Sequence, residues 1–360
     1  MLGTTGFGGR GKDVRAVAYD AFGEQPDVRE LPEPSAPPHG CVIKVEATGL
    51  CRSDWHGWMG HDPDIATFPH VPGHELAGTV HAVGADVTGW RVGDRVTVPF
   101  VCGCGGCEPC LRGAPQICEH QTQPGFTHRG SFAEYVAVDH ADLNLVALPE
   151  QLSYAAAAAL GCRFATAYRA VTAQGRVTAG EWVAVYGCGG VGLSAVMIAA
   201  AYGARVIAVD VSSGALDLAR EHGAVACVNS RETDPVTAVR ELTGGGAHLT
   251  VDALGSPATC TAAILSLRRS GRHVQVGLLP HGAPELPIGR VIGWELEILG
   301  SHGMAAADYG PMLDLVLSGR LRPDALVTRT IGLDDVPAAL TAMGDAPPTG
   351  ITVIAPRALA

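Results

Sequence analysis

The apolar positions change rhythm near residue 160. Before that point, runs such as CVIKVEATGL, LAGTVHAVG, RVTVPFV and FAEYVAV are short, β-branched and bounded by Gly, Pro or Asp. Runs of that kind predict strands of an irregular all-β unit, a Greek-key barrel in type, beginning with RAVAYD. LSYAAAAAL then reads as helix. Beyond it, apolar strands alternate with helices: EWVAVYG with GVGLSAVMIAAAYGA, RVIAVD with SGALDLAREHGA, then ACVNS, HLTVDAL, ATCTAAILSLRRSG and RHVQVGLL. That alternation predicts a parallel, doubly wound sheet. After about 300 come one helix, YGPMLDLVLSGRL, and a last apolar run, GITVIAP, which predicts a strand returning to the first unit. The chain therefore reads as α/β: a β-rich unit over 14–162, a doubly wound unit over 163–298, and 299–360 going back to the first.

Composition narrows the setting. The most apolar helical stretch, GLSAVMIAAAYGA, falls short of the roughly 18 apolar residues of a membrane span and is closed by glycine. MLGTTGFGGRGKDVR has no apolar signal core, so the N-terminus reads as a Gly-rich tail and the expected compartment is the cytoplasm. A formal net charge of −11, with Lys12 and Lys44 the only lysines and no basic run, argues against a nucleic-acid partner. The 11 cysteines are an odd number, and Cys102, Cys104, Cys107, Cys110 and Cys118 fall within 17 residues. Such crowding fits metal ligands in a reducing compartment better than a secreted disulfide framework.

VAVYGCGGVGLSAV carries Gly187, Gly189 and Gly192 in G-x-G-x-x-G spacing between a strand and a helix. In that setting the spacing marks a dinucleotide site. Gly187 permits the tight turn, Gly189 lets backbone N–H groups approach a pyrophosphate, and Gly192 lets helix and strand pack. Asp210 closes RVIAVD, 23 residues after Gly187. A carboxylate there accepts from both adenosine ribose hydroxyls and repels a 2′-phosphate, which predicts NAD rather than NADP. Val211, Ser212 and Ser213 follow and leave room for some NADP use. The plainer alternative is a glycine-rich turn with a solvated acid.

Cys104, Cys107, Cys110 and Cys118 give C-x2-C-x2-C-x7-C, with Gly103, Gly105, Gly106 and Pro109 to allow the bends. Four thiolates suit tetrahedral zinc, and a closed shell leaves no place for substrate. Two other readings stay open: Cys102 with Cys107, Cys110 and Cys118 as a [2Fe–2S] set, or free thiols, which would be prone to oxidation. A second set is dispersed, with Cys51, Ser53, Asp54 and His56 in GLCRSDWHGW, His74 and Glu75 in PGHELAG, and Cys162 in LGCRFATAY. Two Cys and one His with a fourth position left to water or substrate form an open, catalytic zinc arrangement. Singly, each has a bland reading: a cysteine as a small core residue, a core or surface histidine, a turn aspartate, a solvated glutamate.

Taken together, GLCRSD, PGHELAG, the cysteine cluster, GCRFATAY and GCGGVG with Asp210 resemble the zinc-dependent medium-chain alcohol dehydrogenases over about 14–355. The resemblance implies a GroES-like catalytic domain, a Rossmann NAD-binding domain and an active site in the cleft between them. It implies two Zn2+ per chain, a catalytic ion on Cys51, His74 and Cys162 and a structural ion on Cys104, Cys107, Cys110 and Cys118, with Cys102 a bystander. Glu75 would stand beside the catalytic ion, and Asp54 would orient His74 through its other ring nitrogen. Ser53 and His56 would relay the proton. Arg52, with Gly187, Gly189, Gly190 and Gly192, would meet the pyrophosphate, Thr166 and Val191 would flank the nicotinamide, and Phe100 would line the pocket. There are departures. PPTGITVIAP lacks the arginine with which many relatives bind pyrophosphate, and Ala215 stands where many carry a lysine or arginine. Cys41, Cys188, Cys227 and Cys260 match no metal position.

The implied activity is reversible, NAD-linked oxidation of a small alcohol to an aldehyde or ketone. Trp55, Trp58 and Met59 would make an apolar pocket for aliphatic or aromatic alcohols, or serve equally as core. The alternative substrate is polar: a polyol, an amino alcohol or a glutathione–formaldehyde adduct. A non-catalytic NAD-binding protein and a zinc-free quinone reductase both conflict with the complete Cys51, His74 and Cys162 set. The resemblance further implies a homo-oligomer, a tetramer before a dimer, built through the Rossmann sheet edge.

Overall fold

The computed structural model describes residues 12–279, 282–345 and 349–357. The Gly-rich stretch expected as an N-terminal tail lies outside them up to residue 11. Strands β1 (Asp13–Ala18) and β2 (Asp27–Pro32) pair antiparallel as a separate hairpin. β3 (Cys41–Leu50), β4 (Glu75–Val83), β5 (Arg95–Thr97), β6 (Tyr135–Val138) and β7 (Val146–Ala147) follow. Then come β8 (Trp182–Tyr186), β9 (Arg205–Asp210), β10 (Ala224–Asn229), β11 (Ala247–Asp252), β12 (Leu267–Gln275) and β13 (Glu297–Gly300). β14 (Val327–Gly332) and β15 (Ile351–Ala355) complete the chain.

Two larger sheets result. One runs β14-β15-β3-β4-β5-β7, with β6 also on β3, and holds the ligand-bearing loops. GITVIAP does return to it: β15 lies antiparallel to β3, with Ile354 opposite Thr48. The other runs β10-β9-β8-β11-β12-β13 with every pair parallel, so the strand order reverses between β8 and β11. In open α/β sheets ligands bind at such a reversal, beyond the carboxyl ends of the strands. The helix Gly190–Ala201 is buried along nearly its whole length, which is why it is apolar all round rather than striped.

Sequence patterning ran several elements too long, RVTVPFV past Thr97 and YGPMLDLVLSGRL past Leu317 among them, and overlooked others. ATCTAAILSLRRSG does not continue as helix. It stops at Leu265, where buried Ser266 caps the end and its hydroxyl bonds the Tyr186 hydroxyl at 2.5 Å, and LRRSG enters β12. The arginines favour helix in isolation, but the sheet takes them. The helix Pro235–Thr243 carries an apolar face but was passed over, as were the helix Ile288–Trp294, which buries none of its residues, and the four-residue edge strand β13. No helix among the described residues is long and apolar enough to cross a membrane.

Candidate active site

Cys51 follows the last residue of β3 and caps the helix Arg52–Trp58 in an extended conformation. Its backbone N–H donates to Asp54 Oδ2 at 2.8 Å. The other carboxylate oxygen, Asp54 Oδ1, accepts from Gly73 N–H at 3.1 Å and lies 2.9 Å from His74 Nδ1. One buried carboxylate thus ties the Cys51 turn to the His74 loop. Cys162 arrives from across the molecule on a π-helical turn, Leu160–Phe164, a local widening often found at functional sites. The candidate ligand atoms of Cys51, His74, Glu75 and Cys162 all lie within 4.8 Å of one another.

The chemistry of this set fits a metal ion. With Nδ1 bonded to Asp54, His74 Nε2 is buried and has no hydrogen-bond partner. A stranded buried nitrogen is costly unless something occupies it. A hydrogen bond from Cys162 pulls the Cys51 thiol well below its usual range, and the Arg163 guanidinium adds to this against the effect of burial. The same bond, followed by burial, pushes Cys162 well up. Burial would push His74 down, but the Asp54 carboxylate outweighs it and raises the imidazole. One thiolate, an imidazole drawn toward its cationic form and a carboxylate, all dry, make a site in which a divalent cation can take the place of protons.

Glu75 does not stand free beside this set. Arg163 grips it: the backbone N–H donates to Oε1 at 2.9 Å, Nε reaches Oε1 and Oε2 at 2.9 and 3.0 Å, and Nη2 bonds Oε2. Burial raises the Glu75 carboxyl and the guanidinium opposes that shift. Gly49 on β3 makes the room, because a Cβ there would collide with Glu75 Oε2 and lie 2.8 Å from Arg163 Nη2.

Ser53 sits at the first turn of its helix with its hydroxyl 3.8 Å from Cys51 Sγ. His56, three residues on and so a neighbour on the helix surface, has Nδ1 3.0 Å from His61 Nδ1. Arg52 turns to the outer side, its guanidinium 4.0 Å from the Trp55 ring centroid and bonded to the Met343 carbonyl. Phe100 and Phe126 flank His74 at 6.1 and 5.1 Å between ring centroids. Trp58 belongs to the core, its indole N–H donating to the Glu24 carbonyl at 2.6 Å, and Met59 is exposed. Trp55 is half-buried and faces His56 and His61 edge-on.

The glycine turn lies beside this cluster. Gly187 has φ 87°, which favours glycine, and a Cβ on Gly192 would collide with the Gly187 carbonyl. A Cβ on Gly189 would meet nothing within 4 Å, so that position faces open space suited to a phosphate. At Gly190 a Cβ would meet Arg163 Cδ at 2.5 Å. Val191 is half-buried, and the buried Thr166 hydroxyl has no partner. Asp210 Oδ2 accepts from Cys188 N–H at 2.6 Å and Oδ1 from Ser212 N–H at 2.8 Å, which fixes the carboxylate at the turn with lone pairs to spare. Cradle, orphan hydroxyl and acid together fit a dinucleotide.

Cys104, Cys107, Cys110 and Cys118 form the other group whose sulfurs lie within 4.8 Å of one another. Backbone N–H groups of Cys104 and His120 donate to Cys118 Sγ at 3.3 Å, and Gly106 N–H donates to Cys104 Sγ at 3.4 Å. Hydrogen bonds from the Cys110 amide and then other partners bring Cys107 down to about 6, whereas burial pushes Cys118 up to about 12. Cys102 stands apart in the apolar core with Cys41 and Val138, where burial raises its thiol.

Sequence reading passed over Arg163, Phe126 and His302, whose ring meets Phe100 edge-on at 5.1 Å. The only available signal for Arg163 was its place next to Cys162 in GCRFATAY.

Comparison with known proteins bears on the same stretches. A family model described as Alcohol dehydrogenase GroES-like domain matches residues 37–150, and one described as Zinc-binding dehydrogenase matches 190–318. An alcohol dehydrogenase of Geobacillus stearothermophilus is 34% identical over 326 residues, 90% of this chain and 95% of that protein. Among solved structures, an NAD-dependent alcohol dehydrogenase is 32% identical, with 95% of this chain and 99% of that chain covered and a TM-score of 0.85. A zinc-binding dehydrogenase from Sinorhizobium meliloti 1021 bound to NADP is 29% identical, with 96% and 100% covered and a TM-score of 0.87.

Proposed function

The chain belongs to the zinc-dependent medium-chain alcohol dehydrogenase family, and from that premise we propose that it oxidises an apolar alcohol reversibly, with NAD, to an aldehyde or ketone. The observation that carries this reading is the buried Cys51, His74 and Cys162 cluster, with its unsatisfied His74 Nε2, next to the glycine turn. When bound there, zinc polarises the alcohol oxygen and a nicotinamide accepts the hydride.

The side chains prepare that exchange. Asp54 holds the proton of His74 on Nδ1 and so keeps the Nε2 lone pair toward the ligand cluster. Ser53, beside Cys51, receives the alcohol proton, and His56 passes it outward from the same helix. Thr166 and Val191 seat the nicotinamide, and Asp210 takes the ribose hydroxyls. Phe100 and Phe126 beside His74 favour an apolar substrate over a polyol, an amino alcohol or a glutathione adduct. A second zinc belongs to the four-cysteine lobe. Two clusters of cysteines placed as metal ligands rather than as disulfides support a reducing, cytoplasmic setting. β13 is a sheet edge, and exposed Ile292 and Ile298 near it support a homo-oligomer, a tetramer before a dimer.

A screen of primary, secondary, aromatic and polyol substrates by NADH absorbance, with a chelator control, tests the reading. Chelator-resistant turnover, or no turnover on any alcohol, refutes it. Asp210→Gly removes charge-assisted bonds worth about 1.5–3 kcal/mol, so NAD affinity should fall ~10- to 150-fold while NADP use rises. Unchanged cofactor preference would remove Asp210 from the ribose site. His56→Gln should slow alcohol oxidation about 10-fold near neutral pH, less than loss of a direct general base, and recover at high pH, where solvent takes the proton. A pH-independent loss in the rate profile would rule out the relay.

A further inference from the structure

We infer that Arg163 couples the two ligand sites, because a pyrophosphate settling on the Gly190 turn draws on the same guanidinium that holds Glu75 beside the metal ligands. The inference rests on the zinc- and NAD-linked reading and concerns how the two ligands affect each other.

Arg163 is only 6% exposed, and its partner Glu75 is fully buried. Its Nε and Nη2 are spent on Glu75, while Nη1 makes no hydrogen bond among the described residues. That unspent nitrogen lies on the side of Gly190, 3.2 Å from where a Cβ would stand. Gly190 opens the twelve-residue helix Gly190–Ala201, whose N-terminus favours anions. Glycine there therefore clears space for the Arg163 side chain, while a Cβ on the preceding Gly189 would meet nothing within 4 Å. Thr166, three residues beyond Arg163, adds a buried hydroxyl without a partner to the same neighbourhood.

A dry guanidinium has one charge to share. An anion on its Nη1 edge weakens its hold on Glu75 and adds negative potential near Cys51 and Cys162. Both effects favour a cation at the metal site, so a bound dinucleotide should tighten zinc. By linkage, zinc must tighten the dinucleotide by the same factor.

Zinc dissociation from the full-length protein is measured by competition with a chromogenic chelator, alone and with saturating NADH, ADP-ribose or adenosine. ADP-ribose carries the pyrophosphate without the nicotinamide, and adenosine carries neither. In the unmodified protein, NADH and ADP-ribose should each tighten the weaker-held zinc about 5-fold or more, and adenosine should not. In Arg163→Gln the ratio should fall to about 1, whereas Arg163→Lys should retain part of it. Because Arg163→Gln strands a buried carboxylate, the neutral pair Arg163→Gln/Glu75→Gln serves as a second variant with the same expectation. A purely structural Arg163 would lower affinity or stability in the variants and leave the ratio intact, which would overturn the inference alone. Failure of the unmodified protein to bind either pyrophosphate probe, NADH or ADP-ribose, would overturn the NAD reading and the inference with it.

Discussion

Cys51→Ser should lower alcohol turnover by about 10^3-fold or more and release one of two zinc ions per chain, with the fold intact. Serine nearly matches the shape of cysteine, so the extended cap at the start of Arg52–Trp58 and the Asp54 bond to the residue 51 amide survive. The acidic ligand does not survive, because a hydroxyl gives up its proton far less readily than the Cys51 thiol, which the Cys162 hydrogen bond and Arg163 draw well below its usual range. Lewis-acid stabilisation is worth several kcal/mol, and each ~1.4 kcal/mol is a factor of ten in rate. His74→Ala should behave alike, since it removes the imidazole ligand and leaves the buried Asp54 with only its two backbone donors. Metal per chain and turnover on the best substrate are the two measurements. Full turnover in Cys51→Ser would end the zinc-alcohol reading.

The second large effect belongs to the cysteine lobe. Cys104→Ala should cost the other zinc ion and loosen the segment from Cys104 to Cys118. Little else holds it: its helices, Glu108–Leu111 and Pro115–Ile117, are one turn each, and Leu111 and Ile117 are exposed. Where a lobe lacks an apolar core, metal binding supplies the folding free energy, on the order of 10 kcal/mol in small zinc modules. Zinc counting, with limited proteolysis inside the lobe, reads the loss. Cys102→Ala is the control and should leave zinc unchanged, since Cys102 packs in the core with its thiol toward the Pro99 carbonyl at 3.7 Å. If Cys102→Ala released metal instead, the ligand set would need redrawing around the alternative spacing.

Much of this was open to reading from the chain alone, for local reasons. Strands such as RVIAVD, the glycine turn and the acid that ends β9 are short-range patterns, each dictated by backbone geometry within a few residues. The candidate ligand stretches could be picked out one by one, although the closeness of Cys51, His74 and Cys162 is a property of the fold. What stayed hidden is long-range or weakly periodic. Glu75 reads as an acid next to a histidine, and nothing near it announces an arginine 88 positions away. Trp58 lies four residues from Asp54 and looks like pocket material, yet the hairpin β1–β2 and the helix Val336–Ala342 bury it. The edge strand β13, four residues long, is too short to stand out until β12 pairs with it.

The tight seat of Gly49 against the Glu75–Arg163 pair limits what can be transplanted. Residues 49, 75 and 163 form a unit drawn from three separate segments, and the member without a side chain is as necessary as the charged two. Grafting the arginine into a scaffold with a larger residue at the equivalent of position 49 would deliver a charge with nowhere to lie. An engineer borrowing this ion pair must carry the glycine along.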